Sequence, residues 1–214
     1  MSKRVGLIVL SALALVLFGG VSFFMRHLLF GGVVATYEEA SSNQYAYSDQ
    51  WISYDVVACL GNYAEYTESQ FFIPTEHKYY YICWMEDGSM MPLCVSDKDD
   101  REYLNDLTDA TYSYVNGDTD MIRVAPRSFV GTVVNQNREL KGYYDDYLTR
   151  INATSKDGVN VNYVVLDCAT SRTQYLLLCG AVMLVPIGGF AVSIIGIVND
   201  KKKQKNETET YLPR

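Results

Sequence analysis

The cysteines are the side chains of this sequence best suited to covalent chemistry. Cys59, Cys83, Cys94 and Cys168 lie between two long apolar segments, and Cys179 lies within the second segment. Outside the cytoplasm such residues can form disulfides, and four cysteines allow three pairings. Buried cysteines also act as small apolar residues, so the sequence leaves both uses open.

Cys83 and Cys94 are the candidate disulfide that the local pattern addresses. They flank the turn sequence Glu86-Asp87-Gly88-Ser89, and Asp-Gly between apolar runs is a strong hairpin signal. A two-residue turn at 88–89 places the two cysteines directly opposite each other. A turn one residue earlier places them diagonally, and a three-residue turn at 86–88 points them to opposite faces. Asp-Gly favours the last two registers.

The sequence contains few residues suited to other catalytic or metal-binding chemistry. The chain has two histidines, His27 and His77, and it lacks the HExxH, GxSxG, CxxC and SxxK motifs and a Gly-rich phosphate loop. We therefore expect no catalytic residue, no bound metal and no cofactor. The remaining candidates for catalysis are carboxylates, drawn from Asp145, Asp146 and an acidic helix near residue 100.

The elements that position these residues predict an α+β fold with a mixed or antiparallel sheet and two amphipathic helices. Ser96 and Asp99 form a capping-box pattern at the start of the first helix, and Asn116-Gly117 supplies its left-handed stop. Apolar residues then follow helical or alternating spacing. The first helix has the face Tyr103, Leu107, Ala110 and Tyr114, the second has Leu140, Tyr144, Tyr147 and Ile151, and strands are predicted at 51–59, 79–85, 90–95, 121–125, 129–134 and 159–165.

Two uncharged apolar segments, 5–25 and 175–198, are long enough to cross the ~30 Å of bilayer hydrocarbon as helices. They predict a short N-terminus at 1–4, an extracytoplasmic domain at 26–174 and a basic tail at 199–214. From Lys201 onward the tail has the composition of a disordered segment. The alternatives for the first segment are a cleaved signal peptide, which would leave a single-pass protein, and a buried helix of a soluble protein.

Basic residues set the expected orientation, because they are retained on the cytoplasmic side during insertion. The tail carries four lysines close to the second segment, whereas Arg172 alone precedes it. Both termini are therefore expected in the cytoplasm of a cell whose plasma membrane holds the chain. The lysines that determine this topology are Lys201, Lys202, Lys203 and Lys205.

The charge of the chain is unevenly divided. Residues 30–174 contain 10 Lys and Arg against 22 Asp and Glu, a net charge of −12, whereas the whole chain carries −7. An acidic domain repels phosphate backbones, so we expect no nucleic-acid partner. The acidity serves solubility beside a membrane or, as an alternative, provides a docking face for a cationic partner.

Gly189 and Ser193 form a small-xxx-small pair in the second apolar segment, which allows close approach of another helix. One interpretation is self-association of two chains through this segment. The other is packing against the first segment of the same chain.

The sequences YYYICWMEDGSMMPLCVSDKDD at 79–100 and FVGTVV with LKGYYDDYL within 129–148 lie between the two apolar segments. With this arrangement the chain resembles an uncharacterised family of two-pass membrane proteins of Gram-positive bacteria with one extracytoplasmic domain. The resemblance implies a bacterial plasma membrane with the domain facing the cell wall. It carries no activity and no functional residue.

Two functional hypotheses follow. The first is a non-catalytic binding or scaffolding module, held at the lipid bilayer by both ends, which engages an envelope protein, a peptide or another copy of itself. The alternative is a membrane-bound enzyme of an unfamiliar type that uses domain carboxylates. An acidic cleft would favour the enzyme, and an exposed apolar patch would favour binding.

Overall fold

A computed structural model describes residues 3–70 and 73–210 and resolves the chain into two compact units. One unit, the helical pair, contains the long helices at both ends of the chain, and the other is the domain Phe30–Ser171. The helices in chain order are α1 Lys3–Phe24, α2 Arg26–Phe30, α3 Tyr37–Ser42, α4 Lys98–Val115, α5 Arg138–Arg150 and α6 Arg172–Thr210. The strands are β1 Val33–Thr36, β2 Trp51–Val56, β3 Cys59–Gln70, β4 Ile73–Trp84, β5 Met90–Val95, β6 Arg127–Asn135 and β7 Val164–Asp167.

The helical pair consists of α1 packed against α6. The segments Gly6–Phe24 and Arg172–Lys202 are each long and apolar enough to cross a membrane. Ser11 lies beside Gly189, and Phe18 and Met25 share an apolar crevice with Leu178. These contacts run in opposite directions along the two helices, so the helices are antiparallel.

The domain is built on one seven-stranded mixed sheet in the order β1-β2-β6-β7-β5-β4-β3, which confirms the α+β class. The pairs β1–β2 and β5–β7 are parallel, and the other neighbours are antiparallel. All six residues of β5 are buried because both of its faces are covered. This explains why Met90–Val95 is a continuous apolar run rather than an alternating one.

Helices cover both faces of the sheet and bury a separate core on each. On one face Leu104 and Leu107 of α4 pack with Tyr37 of α3 and with strand residues such as Leu93. On the other face Leu140, Tyr144 and Leu148 of α5 pack with a different set of strand residues, including Tyr63 and Ile82. Both predicted amphipathic helices are therefore present, although the buried face of α4 is Leu104, Leu107 and Thr111, and Tyr114 of the predicted face is exposed.

Three local predictions were wrong. The N-cap of α4 is Asp97, whose carboxylate accepts from the backbone of Asp99 and Asp100, while Ser96 instead donates its hydroxyl to the Ala169 carbonyl. Residues 121–125 form bends and no strand. The tail after residue 200 continues as helix to Thr210, because charged side chains have high helix propensity and extend an existing helix readily; residues 211–214 lie outside the described chain.

Candidate ligand-binding site

One wall of the candidate site is the short helix α3, which is anchored to the sheet at its first residue. Tyr37 is fully buried, and its hydroxyl donates to the carbonyl of Val164. The Glu39 carboxylate accepts from the Thr36 backbone N–H at 3.2 Å and so satisfies one free amide at the helix start. These contacts leave Glu38, between the two, exposed and directed away from the core.

The other wall is the hairpin turn between β4 and β5. Met85 and Ser89 are paired by a backbone hydrogen bond of 2.9 Å, and the three residues between them form the turn, with Gly88 at φ 81°. Asp87 accepts from both the backbone N–H of Ser89, at 2.9 Å, and its hydroxyl, at 2.6 Å. These two hydrogen bonds lower the pKa of Asp87, so it is ionised at neutral pH.

Between these walls lie two neighbouring recesses, which we together call the acidic groove. The first, of about 220 Å³, carries the carboxylates of Glu38, Asp55 and Glu86, and the second, of about 240 Å³, carries those of Glu38 and Asp87. No Lys, Arg or His is among the described residues that line either recess. Four carboxylates without an adjacent basic side chain create a local potential that attracts cations.

Tyr54 adds a buried hydroxyl to the first recess. The residue is 7% exposed, and within the described part of the chain its hydroxyl makes no hydrogen bond of normal geometry, although it lies near the backbone of Glu86. Burial raises the pKa of Tyr54, and the charge of Glu38 raises it further. The hydroxyl therefore stays neutral, and its lone pairs would become available to an N–H donor in the recess only after a side-chain movement, since the oxygen itself is buried.

A larger recess of about 490 Å³, the α5 recess, lies beside the C-terminal half of α5. Its carboxylates are already engaged, since Asp145 accepts from the Tyr163 hydroxyl at 2.9 Å and Asp157 accepts from the Thr154 hydroxyl at 2.6 Å. Asp146 lines a different surface depression, so Asp145 and Asp146 do not form a carboxylate pair. Among the side chains that the structure describes, no three His, Cys, Asp or Glu residues lie close enough together to hold a metal ion.

The candidate disulfide Cys83–Cys94 is excluded by the register of the hairpin. The turn is the three-residue one at 86–88, and Cys83 pairs with Met91 while Cys94 pairs with Tyr80. The two side chains therefore point to opposite faces of the sheet, Cys83 into the α4 core and Cys94 into the α5 core. Both are fully buried free thiols.

Gly189 and Ser193 face α1 of the same chain. A Cβ atom at Gly189 would lie 2.9 Å from the Ser11 hydroxyl oxygen, and Ser193, which is buried, donates to the Gly189 carbonyl at 2.7 Å. This contact corresponds to the second interpretation of Gly189 and Ser193, packing against the first apolar segment of the same chain. Self-association through α6 stays a prediction, as does the topological role of Lys201, Lys202, Lys203 and Lys205, whose backbone lies in the last part of α6.

The acidic groove could not be identified from the sequence. Its carboxylates come from three segments, at residues 38, 55 and 86–87, that are separated by 17 residues or more. Only the Glu86-Asp87 dipeptide in the turn marked a local concentration of charge. The convergence depends on the sheet order, which places β2 and the β4–β5 hairpin on either side of β6 and β7.

Comparison with known proteins identifies a family. The model of the family DUF8577, a domain of unknown function, matches residues 1–199, which include α1, the whole domain and the apolar part of α6. No curated protein and no solved structure matches the chain.

Proposed function

The chain belongs to the family DUF8577, whose function is unknown, and on that premise we propose a role from its geometry. It is a membrane-anchored, extracytoplasmic and non-catalytic module that binds a basic peptide segment of a partner protein in the acidic groove. The observation that carries this proposal is the convergence of four carboxylates and the buried hydroxyl of Tyr54 on two adjoining recesses. Two recesses that share Glu38 suit an extended ligand with several charges better than a single compact ion.

Membrane anchoring is supported by the surface of the helical pair. Large apolar side chains on both helices are exposed, among them Val16 at 74% and Val185 at 77%. A helix in the core of a soluble protein would bury such residues, whereas lipid covers them without cost. The antiparallel packing also brings the basic residues at the start of α1 and the end of α6 to one end of the pair.

That end is the cytoplasmic side in our proposal, since basic residues stay inside during insertion. The domain between the helices is then extracytoplasmic and faces the envelope. Its assignment to the plasma membrane of a Gram-positive bacterium rests on the resemblance of residues 79–100 and 129–148 alone.

The binding proposal is tested with the full chain in lipid nanodiscs and a fluorescent pentalysine peptide as the probe. Glu38→Gln combined with Asp55→Asn should weaken peptide binding by about tenfold, because each exposed ion pair contributes up to ~1 kcal/mol. The matched control is Asp106→Asn with Asp109→Asn, which removes the same charge from exposed positions of α4. Equal weakening by both double variants would show a response to net charge alone and would contradict the groove.

Tyr54→Phe separates binding from folding in the same assay. In the free protein, removal of a buried hydroxyl without a partner is neutral or stabilising. In the complex the substitution removes a hydrogen-bond acceptor for a lysine ammonium group, so it should weaken peptide binding several-fold. Unchanged peptide binding would exclude the hydroxyl from the site.

The alternative is a membrane-bound enzyme that uses domain carboxylates, and the α5 recess is the observation that favours it. This recess is the larger one, and it combines Asp145, Asp157 and Lys156 with Tyr163. Its carboxylates accept hydrogen bonds from Tyr163 and Thr154, so they would have to exchange these partners to act on a substrate. We therefore place the ligand in the acidic groove, where the carboxylates of Glu38, Asp55 and Glu86 line the open space.

A further inference from the structure

Cys59 and Cys83 are direct partners across β3 and β4. The Trp84 backbone N–H donates to the Ala58 carbonyl at 3.0 Å, so the cysteine pair occupies a non-hydrogen-bonded position of the antiparallel ladder. At such positions the Cα atoms are about 4.5 Å apart and the two side chains approach most closely. A disulfide spans Cα separations of about 4.4–6.8 Å, a range that includes the typical separation at such positions.

The backbone around Cys59 is held in place from both faces of the sheet. The Cys59 N–H donates to the Thr111 hydroxyl of α4 at 3.2 Å. The next residue, Leu60, lies in a β-bulge of β3. The Leu60 carbonyl accepts hydrogen bonds from the hydroxyls of Tyr112 on α4, at 3.0 Å, and Tyr147 on α5, at 2.5 Å. These contacts hold the Cys59 backbone in place, and the side chains of Cys59 and Cys83 are buried in the same core beside α4.

The other two cysteines of the domain do not share this geometry. Cys94 lies in the α5 core, on the opposite face from Cys83. Cys168 lies against Gly131, where an added Cβ atom would meet its sulfur at 2.8 Å. Among the residues that the structure describes, Cys59 and Cys83 are thus the cysteines that the sheet register pairs directly.

We propose that Cys59 and Cys83 form an intramolecular disulfide when the domain folds in the presence of a disulfide-bearing oxidant. One cysteine thiolate attacks the oxidant, forms a mixed disulfide and releases the first thiol. The second cysteine attacks the protein sulfur of that mixed disulfide and releases the second thiol. The new S–S bond accounts for two oxidised sulfurs, and the two released thiols carry the two electrons and two protons.

The bond is expected to form during folding and to persist afterwards. Both thiols are fully buried, so an oxidant cannot reach either sulfur in the folded domain. The oxidant reaches the pair only before α4 covers it. Formation in the cell rests on the extracytoplasmic placement proposed above, whereas formation in a refolding assay does not, so the two proposals can fail separately.

The test is to refold the full chain in detergent with oxidised and reduced glutathione, to block free thiols with an alkylating reagent in denaturant and to digest without reduction. Cleavage after glutamate separates Cys59, Cys83 and Cys94 into different peptides. Mass spectrometry should find the Cys59 and Cys83 peptides joined. Full alkylation of both cysteines, or a bond between any other pair, would overturn the proposal.

Thermal unfolding supplies a second test, which remains valid when a variant is itself less stable than the wild type. Closing the loop between the two cysteines should raise the melting temperature of the domain by about 10 °C in the oxidised protein relative to the reduced one. Cys59→Ala should abolish this redox-dependent difference, whereas Cys94→Ala, an equally buried position, should retain it whatever its own stability. A redox difference that survives Cys59→Ala would contradict the assignment.

Discussion

The helical pair and the domain use apolar side chains in opposite ways. In α1 and α6, large apolar residues such as Leu17 and Leu184 are each 68% exposed, and small polar residues such as Ser11 and Ser193 are buried between the helices. In the domain, Tyr81, Leu93 and other large residues are fully buried, and the surface is rich in carboxylates. One unit is apolar outside and the other is apolar inside.

This difference shows that the two units fit different surroundings. The domain gains its stability by removing apolar surface from water. The helical pair leaves that surface uncovered and instead gains close backbone approach at small residues, which is how helices associate in lipid. A chain with both properties fits a membrane protein with one water-facing domain, and the following changes test each part of that comparison.

The largest effect is expected from reporter fusions, because the outcome is nearly all-or-none. Alkaline phosphatase needs disulfides and is active only outside the cytoplasm. Fused after Gln70, within the domain, it should be active, and fused after Lys205, beyond the apolar part of α6, it should be inactive at equal fusion-protein levels. The reverse pattern would overturn the orientation, and a mature N-terminus at Thr36 would remove the first span.

A smaller effect is expected from Gly189→Leu, which fills the close contact between α6 and α1. An added Cβ atom already lies 2.9 Å from the Ser11 hydroxyl, so a larger side chain must separate the helices and should cost about 2 kcal/mol. Gly188→Leu is the matched control, since a Cβ atom there meets nothing within 4 Å. Unfolding of the full chain in mixed micelles measures both variants.

The same two variants distinguish intramolecular packing from self-association. In a bilayer association assay of α6 alone, intramolecular use of Gly189 predicts a weak signal that neither substitution changes. A strong signal that falls with Gly189→Leu would support a dimer instead. Equal destabilisation of the full chain by both substitutions would contradict the contact with Ser11.

Local patterns predicted the elements whose signals lie within one segment. The Asp-Gly turn placed the β4–β5 hairpin, the spacing of Leu140 and Tyr144 placed α5, and two uncharged segments placed α1 and α6. The start of α4 was missed by one residue because Ser96 and Asp97 both suit an N-cap, and a tertiary contact decided between them: Ser96 bonds the Ala169 carbonyl, 73 residues away.

Long-range pairings were beyond the reach of these patterns. The sequence directed attention to Cys83 and Cys94 because they share a hairpin, whereas the true neighbour of Cys83 is Cys59 on β3, a strand that was not predicted beyond its first residue. The acidic groove was not predicted for the same reason. Its residues meet only because of the strand order, which depends on the relative stability of whole-sheet arrangements and not on any single segment.

The smallest effect is expected at the surface of the domain, from Asp87→Asn. The hydrogen bonds from Ser89 lower the pKa of Asp87 below its ordinary value of 3.8, so the folded state binds this proton less readily than the unfolded state. The carboxylate therefore stabilises the fold above the unfolded pKa, and this contribution is lost as pH falls through the lower folded pKa. Because Asp87 is exposed, we expect its charge to contribute about 0.5 kcal/mol or less to the free energy of unfolding at pH 7.

The Asn variant retains the acceptor oxygen but not the charge. Denaturant unfolding should therefore show the wild type slightly more stable at pH 7, and the difference should shrink below about pH 4. A difference that stays constant or grows as pH falls would show that the charge of Asp87 does not stabilise the turn. Asp87 would then contribute to ligand binding in the acidic groove and not to the stability of the domain.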